Sequence, residues 1–162
     1  ELHAAVGLAQ IRKLDTFLAL QRKNNKALRA YLEAIPEVSF RKVPDEAGDS
    51  CSFLSWFLPT EALTKAVIAE MKEQGILAGN FYWYANNWHY IKKWAHLKNV
   101  QSLSALNEPQ QKALAALSTK TFEKSDAIMS RAISTAISLT WTEAQVHEKG
   151  ATFLKVIEKA IS

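Results

Sequence analysis

Between Gly79 and Trp94 the chain sets hydroxyl, amide and imidazole groups among flat aromatic faces. Tyr82, Tyr84, Asn86, Asn87, His89 and Tyr90 supply the polar groups, and Trp83, Trp88 and Trp94 supply the faces. Sugars need this pairing: directional hydrogen bonds at the hydroxyls and an apolar plane against the C–H face. Lys92, Lys93 and Lys98 add positive charge nearby. A structural reading stands beside the functional one, with aromatics filling core gaps while amides make turns. Two adjacent Asn flanked by Trp and His weigh toward a polar task. The expected ligand-contacting set in this segment is Tyr82, Tyr84, Asn86, Asn87, Trp88 and His89.

A second candidate is Arg131, with Ser130, Ser134 and Thr135 around it. A guanidinium fork among hydroxyls suits a carboxylate, which it can hold by two parallel hydrogen bonds. An ordinary structural ion pair is the alternative at this point. His3, His96 and His147 show no metal-ligand spacing, and neither a phosphate-cradling glycine loop nor a Ser–His–acid arrangement is present. The expectation is recognition without a catalytic, cofactor-binding or metal-binding residue in this chain.

Composition narrows the class. With 162 residues, 48% apolar and 22% charged, the chain fits one soluble globular domain large enough to bury a core. No apolar run approaches the roughly 18 residues needed to span a bilayer. Cys51 is the single cysteine, so no internal disulfide is possible and a reducing, cytoplasmic setting is expected. The net charge of +4 is mildly basic, compatible with an anionic substrate, with nucleic acid or with a plain cationic surface.

The positioning elements follow from periodicity and breakers. Glu1 to about Ile35 reads as one long helix ended by Pro36, a rod of about 50 Å at 1.5 Å per residue. It opens mid-helix, so a segment ahead of Glu1 is expected. Its polar middle, Arg22 to Lys26 with Arg29, reads as a solvated face. Val38–Val43 and Cys51–Leu58 flank a turn of Pro, Asp and Gly and suggest an antiparallel hairpin. Thr60–Gln74 is an amphipathic helix capped by Thr60 and closed by Gly75, with Leu63, Val67, Ile68 and Met71 inward. Ile76–Ala78 starts a third extended segment, and a helix runs from about Glu108 to Ala116. Asp126–Leu139 mixes a turn with a β-like run from Ile133. Thr142 with Gln145 makes a capping box for a last helix to Ile161, with Val146, Phe153, Ile157 and Ile161 inward. The fold class is α+β, with helices covering a small, mainly antiparallel sheet.

The opening run, Glu1-Leu-His-Ala-Ala-Val-Gly-Leu-Ala-Gln-Ile-Arg-Lys-Leu-Asp15, resembles a segment of the DegT/DnrJ/EryC1/StrS sugar aminotransferases. That family commonly reads Glu-Leu-x-Ala-Ala-x-Gly-x-x-Gln-Leu-x-x-Leu-Asp after an Asn-Tyr-Arg loop. Arg22 and Tyr31 fall where the family tends to carry Arg and Tyr, and Gln74-Gly75-Ile76 resembles its helix-to-strand junction. The resemblance implies the C-terminal part of a fold type I enzyme using pyridoxal 5′-phosphate (PLP) and glutamate, homodimeric, with no nucleic-acid or membrane partner. Residues 1–35 would link an absent large domain to a small α+β domain at 36–162. The Schiff-base lysine would lie ahead of Glu1, leaving this chain inactive alone. Asn80–Ile91 and Ser125–Ser134 depart from the family's nucleotide-sugar pattern. They resemble the branch that aminates an oxidised Kdo-type octulosonate for lipopolysaccharide, with Arg131 holding the carboxylate of that sugar acid or of glutamate. A nucleotide-sugar aminotransferase or dehydratase of the same family, and a nucleic-acid or glycan binding module, are the other readings.

Overall fold

The computed structural model describes residues 1–86 and 89–162. The described residues form seven α-helices, two single-turn 3-10 helices (Trp83–Ala85 and Ile91–Lys93) and four strands. Helices α1 (Leu2–Ile11) and α2 (Leu14–Glu33) lead into strands β1 (Ser39–Phe40) and β2 (Phe53–Phe57). Helix α3 (Glu61–Glu73) precedes β3 (Asn80–Tyr82). Three helices, α4 (Ala95–Lys98), α5 (Glu108–Ser118) and α6 (Glu123–Met129), come before β4 (Ala132–Ala136) and the final helix α7 (Glu143–Ile161). The sheet order is β1-β2-β4-β3 with every pairing antiparallel, so the α+β class and the β1–β2 hairpin hold.

Strand alternation sorts the sheet into two faces. Leu54 and Trp56 of β2 share one face with Ile133 and Thr135 of β4. That face meets α2, α3 and α7, where Leu28, Leu32, Val67, Met71, Val146, Phe153 and Ile157 complete the core. Trp56 sits at its centre, tilted against Phe153 with ring centroids 6.3 Å apart. Its Nε1 donates to Thr135 Oγ1 at 3.2 Å, Thr135 donates to Asn80 Oδ1 at 2.6 Å, and Asn80 Nδ2 donates to the Ile76 carbonyl at 2.8 Å. This buried relay fixes β3 to the sheet and satisfies each polar group it passes. Where α7 crosses α2, Gly150 lies so close to Tyr31 that a Cβ would fall 2.2 Å from its ring. The glycine allows the approach, and Tyr31 closes it by hydrogen-bonding His147 Nδ1 at 2.5 Å.

Local signals set the helix ends. Thr60 accepts from the Leu63 N–H, and Gly75 at φ +69° closes α3. The Ile76 N–H reaches the Met71 carbonyl and the Gly75 N–H that of Lys72, the six-to-one and five-to-two bonds of a Schellman end. Both halves of the Thr142–Gln145 capping box are present.

Several expectations are corrected. The single rod over Glu1–Ile35 is two helices parted at Arg12–Lys13. No breaker residue stands there. α1 buries none of its side chains among the described residues, so no packing holds it coaxial with α2. The polar middle of α2 is not wholly solvated. Asn24 and Asn25 are only 4% and 8% exposed. Asn24 donates to the Ser138 and Trp141 carbonyls, Asn25 to those of Cys51 and Phe53. These amides tie α2 to the start of β2 and to the loop that follows β4. Arg22 likewise holds the Ala47 and Asp49 carbonyls. The third strand starts at Asn80 rather than Ile76, because Leu77 and Gly79 complete a turn first. The helix Glu123–Met129 runs into the stretch from Asp126 where a turn was expected, β4 ends at Ala136 rather than Leu139, and Ile161 is exposed.

Candidate functional site

The second face of the sheet is not covered by the helix layer. By register it carries Phe53 and Ser55 from β2, Ser134 from β4 and Phe81 from β3. Phe53 and Phe81 are 48% and 38% exposed and meet edge to face at 5.9 Å. Beside them Ser55 and Ser134 stand directly opposite, their hydroxyl oxygens 2.6 Å apart. Trp83, just past β3, folds back over this pair and donates from Nε1 to Ser134 Oγ at 2.7 Å. A cleft of about 510 Å³ results, lined by Arg41, Ser52, Ser55, Phe81, Trp83, Asn86, His89 and Ser134 among others. It combines apolar ring surface with a few convergent polar groups, the general character of a small-ligand site.

Of the residues singled out in the sequence, Asn86 and His89 line this cleft, and His89 lies 5.6 Å from the Trp83 ring. Asn87 and Trp88 lie outside the described residues. Tyr82 turns toward the helix side and donates its hydroxyl to the Ser130 carbonyl at 3.0 Å. Burial pushes that hydroxyl up to about 12, with Glu61 and Tyr84 adding repulsion, so Tyr82 is a neutral donor at neutral pH. Tyr84 packs near Tyr82 and Tyr90 and takes Lys93 over its ring at 4.4 Å. Arg131 is not gathered into the cleft. Its Nε donates to the Ala127 carbonyl at 2.9 Å and its Nη1 to that of Leu58 at 3.4 Å.

Asp126 of α6 anchors the segment that carries Asn86 and His89. It accepts from the buried Tyr90 hydroxyl and from Lys92 Nζ, both at 2.5 Å. Lys92 first, then Tyr90, holds the Asp126 carboxyl below its ordinary value of 3.8. Burial and then Asp126 push the Tyr90 hydroxyl upward. A depressed folded-state pKa stabilises the fold above the unfolded value, and that contribution disappears as pH falls through the folded one. Stability is therefore expected to fall below about pH 4 in wild type, and Asp126→Asn is expected to flatten that acid limb. Denaturant titrations from pH 2 to 7 check this; parallel curves for the two proteins would refute it.

Sequence reasoning missed Phe53, Ser55, Phe81 and Arg41. Strict alternation in Phe53–Phe57 was the available signal, since it separates Phe53 and Ser55 from Leu54 and Trp56. Which side faces the helices depends on the β2–β4 register across 79 residues of chain, which periodicity does not carry.

Residues 1–111 match the model of the DegT/DnrJ/EryC1/StrS aminotransferase family. The chain belongs to this family. Its members are PLP-dependent in general, so the cofactor's requirements can be set against the residues present. PLP needs a lysine amine that can lose its proton and a partner for its ring nitrogen. Lys92 and Lys159 are displaced the opposite way, held charged by hydrogen bonds to Asp126 and Glu70, and neither lines the cleft. Among the described residues no cluster suits a metal ion and no helix is long and apolar enough to cross a membrane.

Proposed function

We propose that this chain is the substrate-gripping part of a PLP-dependent sugar transaminase, and that the amino group passes from glutamate to an oxidised Kdo-type octulosonate. The observation that carries the reading is the cleft on the open sheet face. Phe81 and Trp83 offer planes for a sugar's C–H face, while Ser55, Asn86 and His89 offer hydrogen-bonding groups of the kind sugar hydroxyls require. The departures of Asn80–Ile91 and Ser125–Ser134 from the nucleotide-sugar pattern add the preference for a sugar acid.

In this reading residues 1–35 link a cofactor-bearing domain to a small domain at 36–162. The bond-making groups belong to that other domain, and the working enzyme is a cytoplasmic homodimer serving lipopolysaccharide synthesis. The chain's own residues bind the sugar, orient it and exclude water around it. A nucleic-acid module would set the basic residues of the first helices among the aromatics. Arg22 and Arg29 of α2 are instead engaged by loop carbonyls, by Glu33 and by the Phe40 ring.

The test is steady-state kinetics of the full-length enzyme with PLP and glutamate. An oxidised octulosonate and a nucleotide-linked keto sugar serve as competing acceptors. Amination of the octulosonate is expected, with His89→Ala raising its KM about tenfold, the effect of losing one hydrogen bond to a buried ligand. Turnover of the nucleotide-linked sugar alone would transfer the chain to that branch of the family.

A further inference from the structure

Arg131 looked like the carboxylate-binding arginine, yet it holds two main-chain carbonyls and does not line the cleft. Another arginine occupies the place that role requires. The Arg41 N–H donates to the Ser55 carbonyl at 3.2 Å, which sets Arg41 one step beyond β1 and beside Ser55. Ser55 pairs with Ser134, and Ser134 with Phe81. Arg41, Ser55, Ser134 and Phe81 therefore form one row across the open face, each about 4.8 Å from the next. The row runs from a cation through two hydroxyls to an aromatic ring, and all four residues line the cleft that holds Asn86 and His89.

Arg41 is also loosely held. Its side chain is 57% exposed, and its ion pair with Asp49 is a single contact of Nη2 to Oδ2 at 3.5 Å, long for a hydrogen bond. Asp49 is engaged on its other oxygen by the Cys51 N–H at 2.9 Å. One long contact leaves the guanidinium edge that matches a carboxylate bidentately. The other arginines near this side of the sheet are tied more closely. Arg22 bonds carbonyls at 2.5 and 3.1 Å, and Arg29 meets Glu33 at 2.6 Å while lying over Phe40.

We infer that Arg41 is the anion-binding residue of this cleft and that it holds the carboxylate of a sugar acid whose hydroxyls lie past Ser55 toward Phe81, over the Trp83 indole that covers Ser134. The inference rests on the sugar reading above and assigns its acidic end. Asp49 then acts as the placeholder that the bound carboxylate displaces from Nη2.

Calorimetric binding to the full-length enzyme tests this, with Kdo as the acid probe and its methyl ester as the neutral one. Wild type is expected to bind Kdo at least tenfold more tightly than the ester. Arg41→Gln is expected to abolish that preference while binding the ester as wild type does, which also shows that the variant is folded. Arg41→Lys should restore part of the preference, and Arg131→Gln should keep all of it. Retention of the preference in Arg41→Gln, or its loss in Arg131→Gln instead, overturns the assignment and leaves the sugar site standing. Equal wild-type affinity for acid and ester also overturns it. Failure of wild type to bind either probe removes the sugar-acid reading and this inference with it.

Discussion

Trp56→Ala is expected to destabilise the domain by about 3–5 kcal/mol, the range for removing a large aromatic from a core. Domains of this kind are stable by only about 5–15 kcal/mol, so this one change removes about a fifth or more of the total. Trp56 is fully buried, packs on Phe153, and holds the first link of the relay through Thr135 and Asn80 to the Ile76 carbonyl. Packing and hydrogen bonding are separable here. Trp56→Phe keeps most of the ring contact but deletes the Nε1 donor. Thr135 still donates to Asn80, so no buried group loses its last partner, and a cost near 1 kcal/mol for the bond is expected on top of a small cavity. Urea unfolding of both variants decides the matter. Equal losses for Ala and Phe would mean that the indole N–H, rather than the volume of the ring, holds the core.

The features legible in the sequence were those written locally. The caps at Thr60 and Thr142, the glycine end of α3 and the amphipathic stripes of α3 and α7 follow from residues within a turn or two of each other. What failed depends on residues far apart. Asn24 and Asn25 read as surface amides because nothing nearby says that loop carbonyls at 51, 53, 138 and 141 come to meet them. The sequence likewise does not show that Arg131 lies outside the cleft. Its hydroxyl neighbours are visible in the sequence, whereas the Leu58 carbonyl that engages it lies 73 residues away. Arg41 was passed over because its meaning comes from its place beside Ser55, and that place comes from the hairpin register. The aromatic segment was conspicuous by composition, yet composition could not separate Tyr82 and Tyr84, which brace the loop, from Asn86 and His89, which line the cleft.

Ser134 is where the two faces of that problem meet, and its removal carries the largest expected functional loss. It is fully buried, although it sits on the open face, because Trp83 covers it. The indole N–H can only donate, so Ser134 Oγ accepts from Trp83 and shares its remaining capacity with Ser55 at 2.6 Å. Ser134→Ala leaves both partners facing a methyl group, at a stability cost of about 1–3 kcal/mol. The effect on activity is expected to exceed that cost. Trp83 loses the bond that presses it onto the sheet, and a displacement of about 1 Å in a positioning surface can cost about a hundredfold in rate. In the full-length enzyme Ser134→Ala should therefore lower kcat/KM about a hundredfold, while Ser134→Thr, which keeps the hydroxyl, should lose much less. Trp83→Phe deletes the same bond from the other side. If Ser134 acts through Trp83, the double variant should be little worse than either single one, because the interaction can be lost only once. Independent, additive losses would mean that Ser134 contacts the sugar itself and that the indole is a separate wall of the cleft.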